Sequence, residues 1–124
     1  MHEQASSFLG RLLVVAGGLC GLAGVALSAA ASHGGGTLTG TAASFLLMHA
    51  PAVLALGLFG GGRWPRIAGL VLLAGLVLFS GDLLARDFLG SRLFAFAAPA
   101  GGTLLMAGWL AIAATAFVAP RRKT

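Results

Sequence analysis

Few residues in this chain have the types and spacing to do chemistry. His33, His49, Ser80, Asp82 and Thr103 are the candidates, and all sit in or beside strongly apolar runs. An imidazole and a carboxylate within reach of each other could form a proton or ligand site, the carboxylate orienting the ring. Pro51 follows His49 by two residues and cannot donate to the carbonyl of Leu47, which frees a backbone acceptor close to the histidine. Asp82 has a nearer candidate partner in Arg86, four residues on and on the same helical face. The competing reading is structural: serines in apolar helices bond their own backbone, His33 is a loop residue, and Asp82 is the solvated end of a helix. The spacing of His33, His49 and Asp82 specifies no metal, and none is expected. No serine-nucleophile elbow, phosphate loop or zinc-protease signature is present. Neither an enzyme nor a cofactor is expected.

The elements that must position these groups are four apolar stretches, approximately 12–31, 42–61, 67–85 and 98–119. Each is close to the ~20 residues that carry a helix across a ~30 Å hydrocarbon layer. The chain is 58% hydrophobic and 9% charged, with a mean hydropathy of +0.97, and a globule of 124 residues has too little interior to hide that much apolar surface. Lipid is therefore the expected solvent. The connections are short, so consecutive helices must be antiparallel neighbours. The predicted fold is all-α: one domain over residues 1–124, an integral membrane four-helix up-and-down bundle.

A net charge of +5 and a pI near 11.6 do not imply nucleic acid, which needs a basic face with base-reading groups. Here the positive residues flank the apolar runs, where anionic headgroups of the lipid bilayer account for them. Arg11, Arg63, Arg66, Arg121, Arg122 and Lys123 fall on one side, against Arg86 and Arg92 on the other. The positive-inside bias places both termini in the cytoplasm and the polar candidates in the outer half. Arg11, the first apolar run and Ala29–Ala31 also resemble a cleaved secretory signal, but the length of the run favours an uncleaved span. Cys20 is alone, so it forms no intrachain disulfide, and it reads as a small packing residue.

Twenty glycines make close helix packing the expected route to association, because lipid-embedded helices attract through dispersion at small residues. Gly17, Gly21, Gly24 and Ser28 form one stripe in the first span. Gly75 lies on a comparable face of the third span, and Gly101, Gly102 and Gly108 serve the fourth. A weak internal echo places Ala50-Pro51-Ala52 on Ala98-Pro99-Ala100 at an offset of 48 residues, as duplicated helical hairpins would.

Leu78-Phe79-Ser80-Gly81, Pro99-Ala100-Gly101-Gly102 and Gly108-Trp109, with His49 ahead of Ala52–Leu58, resemble elements of the YgdD-like family of small bacterial inner-membrane proteins of unknown function. The family's Gly-Ala-His triplet stands here as Ala31-Ser32-His33. The resemblance implies four spans and the bacterial inner membrane, and no activity. The leading functional expectation is an accessory or structural subunit that packs through its small-residue faces against a membrane-protein partner or as a homo-oligomer. The alternative is binding or transport of a small amphiphile, quinone or proton through the outer-leaflet polar pocket.

Overall fold

The computed structural model describes residues 2–118, with side chains from residue 8 onward. Four helices follow in order: α1 His2–Ser32, α2 Thr37–Phe59, α3 Arg63–Leu89 and α4 Ala97–Val118. All four are long and apolar enough to cross a membrane. The helices overrun the apolar stretches because a change of polarity marks the limit of hydrocarbon, while a helix ends only where its backbone groups are capped or its dihedrals change. Thus Thr37–Thr41 form the first turn of α2, and Arg63–Arg66 the first turn of α3, where loops were expected. At its other end α3 stops at Gly90, whose φ of 79° is the left-handed conformation that glycine adopts without a Cβ penalty. Exposed Leu93, Phe94 and Phe96 make the turn before α4. Pro99 sits in the first turn of α4, where its missing N–H leaves no intrahelical bond unmade.

Residue pairings run antiparallel at each successive interface. Gly17 of α1 lies against Ala50 and Leu54 of α2, and Gly57 of α2 against Gly10. Gly75 of α3 lies against Gly101 and Leu105, and Gly108 of α4 against Leu72. A Cβ on Gly75 would stand 2.6 Å from the Leu105 nitrogen, and one on Gly108 2.9 Å from the Leu72 Cα. These backbones approach closer than any side chain would allow, which maximises dispersion contact in a solvent that gives no hydrophobic drive between helices. The core between the hairpins is aliphatic: Leu13, Val53, Leu72 and Leu76 are fully buried, with Cys20 and Leu105 nearly so.

The expected glycine stripes are not uniform. Gly24 presses on the Leu47 side chain, while Gly21 has only the Ala50 Cβ at ordinary contact distance and Gly102 faces open space. Ser28 is half-buried, and its carbonyl accepts the Ser32 hydroxyl at 3.1 Å. The 48-residue echo is not a structural duplication. That offset lays α2 across the connection between α3 and α4, and it matches Pro51 in mid-helix with Pro99 in a first turn.

The bundle is open along one side. Packing links α1 to α2, α2 to α3 and α3 to α4, with a slight α1–α3 contact. Among the described residues α4 makes its backbone packing on α3 alone.

Candidate functional site

His49 is 5% exposed and stands twelve residues into α2. At 1.5 Å per residue it lies roughly 18 Å from the start of the helix, near its middle. α2 begins five residues before the apolar run. Its Nδ1 lies 2.7 Å from the Phe45 carbonyl, and the Trp109 indole N–H donates to its Nε2 at 3.0 Å. An indole nitrogen only donates and a carbonyl only accepts. The two contacts fit the tautomer that carries its proton on Nδ1 and leaves Nε2 to accept. Phe45 stacks on His49 at 5.7 Å between centroids, and Trp109 meets it tilted at 54°. The histidine thus ties α2 to α4, two helices whose backbones do not pack on each other.

The expected pairing of His49 with Asp82 does not occur. Asp82 is seven residues from the end of α3, roughly 10 Å from it, so the two groups lie about 8 Å apart in depth. Asp82 is fully buried, and Arg86 donates to its Oδ2 through Nη2 at 2.8 Å and Nε at 3.2 Å. Its Oδ1 accepts the Leu93 backbone N–H at 2.8 Å. A buried carboxylate is tolerable only when paired and fully hydrogen-bonded, and both conditions hold here. Its role is to fasten the α3–α4 connection onto α3.

Asp87 is a helix-capping carboxylate that sequence reasoning missed. Its Oδ2 accepts both the backbone N–H and the hydroxyl of fully buried Thr39, at 2.6 and 2.8 Å. Gly36 at the N-cap of α2 offers no side-chain cap, so a carboxylate from α3 satisfies an orphan donor of that first turn. A Cβ at Gly36 would collide with it.

The remaining candidates disperse. His33 is exposed in the α1–α2 turn and joins none of the others. Ser80 is 3% exposed, with a hydroxyl that has no partner among the described residues. Thr103 is exposed and donates to the Pro99 carbonyl at 2.8 Å. Of the five candidates His49 and Thr103 line one groove, while the polar contacts stack in levels: the Thr39–Asp87 cap, the Asp82–Arg86–Leu93 fastening, and His49–Trp109 near the middle of α2. No group of three His, Cys, Asp or Glu among the described residues could hold a metal.

A groove of about 820 Å³ opens beside these contacts. Phe45 and His49 line it from α2, and Phe79 and Arg86 from α3. Arg92 enters from the connection, and Pro99, Gly102, Thr103, Met106 and Trp109 from α4. Its chemistry is that of an apolar, aromatic slot with two guanidinium groups toward the α3–α4 turn.

Four helices long and apolar enough to span a membrane, three of them lining such a groove, define an all-α integral membrane protein. The family model described as "Protein of unknown function (DUF423)" matches residues 27–102, and the chain belongs to that family. It is 32% identical over 116 residues to a "UPF0382 membrane protein" of Haemophilus influenzae, covering 86% of this chain and 90% of the relative. It is 28% identical over 117 residues to "UPF0382 membrane protein SH2409" of Staphylococcus haemolyticus, covering 86% and 96%. No solved structure matches it. The matched family segment contains His49, Asp82 and Asp87 and stops before Trp109.

Proposed function

We propose that the protein holds a membrane amphiphile, a lipid-like or quinone-like molecule, in the groove between α2, α3 and α4. The observation that carries this reading is the groove itself: about 820 Å³ within the expected range for small-molecule sites. Phe45, Phe79 and Trp109 supply flat apolar surface, and Arg86 and Arg92 supply charge at one end for a polar head. Proton transport is the weaker form of the alternative, because both His49 nitrogens are engaged and Asp82 is held by Arg86 and Leu93. The glycine contacts found inside the hairpins leave less small-residue surface for an outside partner, which moves the accessory-subunit reading to second place.

That second reading keeps one observation in its favour. Phe8, Leu12, Val15, Leu19 and Leu22 are exposed on α1 and step by four, three, four and three. This is the seven-residue spacing of a helix–helix seam, suited to a partner span or a second copy. The basic residues at the end that bears both termini support an inner-membrane location with cytoplasmic termini. Arg121, Arg122 and Lys123 of that set lie outside the described residues. The motifs shared with the YgdD-like family point to the same membrane.

Gly102 gives a clean test, since nothing lies within 4 Å of the Cβ it lacks. Gly102→Phe should fill the groove without disturbing the helix contacts. Extraction in mild detergent followed by native mass spectrometry should show a co-purifying amphiphile with the wild type and its loss from G102F. Equal retention by both proteins refutes the groove as the binding site.

A further inference from the structure

We propose a second site, for a phosphate-bearing lipid headgroup, where α1, α2 and α3 meet at the end of the bundle that carries both termini. A notch of about 420 Å³ opens there, with Arg11 of α1 and Arg66 of α3 in its lining. It lies at the far end of the bundle from the Arg86–Arg92 mouth of the larger groove, and shares no residue with it.

The Arg66 guanidinium is fixed in place. Its Nε donates to the Gly60 carbonyl at 2.8 Å, which turns the side chain back over the α2–α3 connection. The group then lies against Gly10, where a Cβ would run into the guanidinium. A glycine at this point of α1 is what admits the cation. The Nη1 is buried and has no acceptor among the described residues. A buried guanidinium nitrogen without an acceptor is an unfilled demand for an anionic oxygen. Arg11, exposed on the same notch, can close a second charge-assisted bond to the same anion.

The walls indicate which anion. Val14, Val15 and Leu58 line the notch beside the arginines, and Val15 and Leu58 are 58% and 57% exposed. An acyl chain lying along these residues keeps its headgroup at the level of the two cations. A soluble phosphate would leave the apolar half uncovered. The chemistry fitted is a phosphodiester with attached acyl chains, as in an anionic phospholipid.

The full chain in nanodiscs containing phosphatidylglycerol and phosphatidylcholine, released for native mass spectrometry, tests the assignment. Wild type should retain phosphatidylglycerol preferentially. Arg66→Gln and Arg11→Gln should each reduce that retention about tenfold, the worth of one charge-assisted hydrogen bond to the anion. Arg63→Gln removes an equal charge from the same helix end outside the notch, and it should leave retention unchanged. Because Arg66 also holds the Gly60 carbonyl, the exposed Arg11 variant decides the matter if R66Q fails to fold. Competition by soluble glycerol phosphate at millimolar concentration would assign the site to free phosphate and overturn the lipid assignment. Equal losses in R63Q and R11Q would reduce the effect to bulk surface charge and overturn it also, as would unchanged retention in R11Q.

Discussion

Replacing Trp109 with Phe removes one N–H and leaves an aromatic ring against His49. The Nε2 of a ring only 5% exposed then has no donor, while its Nδ1 bond to Phe45 persists. Interhelical polar contacts in membranes are worth about 0.6 kcal/mol on average and up to about 1.7. An unsatisfied buried acceptor moves the cost toward the upper part of that range, so W109F should destabilise by about 1–2 kcal/mol. His49→Leu should cost a similar amount by leaving the indole N–H unpaired. If the bond is the common cause, H49L/W109F should cost less than the two single changes together. The coupling should be about 0.6–1.7 kcal/mol. Reversible unfolding in mixed mild detergent and dodecyl sulfate measures all four proteins. Additivity within about 0.3 kcal/mol would show that the His49–Trp109 bond does not tie α2 to α4, and the tautomer assigned to His49 would fall with it.

Gly75→Leu drives a side chain into the Leu105 nitrogen and the Gly101 carbonyl, where backbone cannot yield. It should lower folded yield in gel filtration severely, whereas Gly21→Ala should lower it little, having van der Waals room against Ala50. Asp82→Ala strands Arg86, whose side chain is 26% exposed, and the Leu93 N–H. With solvent screening of the arginine the loss should be about 1–3 kcal/mol, read as a lower thermal midpoint and faster proteolysis at the Gly90–Phe96 connection.

The four helices were legible because each must present about twenty apolar residues to lipid, a demand written into consecutive sequence. Their ends were not, because Thr37–Thr41 are polar yet helical. The capping group for that turn comes from Asp87, 48 residues downstream of Thr39. A signal was present all the same: Gly36 has no side chain with which to cap, so some other acceptor had to arrive. The Asp82–Arg86 pair was readable from its four-residue spacing, but the Leu93 N–H on the other carboxylate oxygen depends on how the connection folds back. His49 and Trp109 could have been matched by counting. Each lies twelve residues from the start of its helix, and α2 and α4 begin on the same side. A mid-span indole needs an acceptor, and His49 stands at that depth.

The uneven packing also bears on how the chain enters the bilayer. α1 with α2, and α3 with α4, form two zipped hairpins, with Gly17, Gly24 and Gly57 packed inside the first pair and Gly75, Gly101 and Gly108 inside the second. Each hairpin can be delivered from the insertion machinery as a finished unit. What remains is lateral docking of the second pair onto the first along α2 and α3, fixed by the Thr39–Asp87 cap and the His49–Trp109 bond. Truncation after α2 should then leave a paired product rather than a lone span.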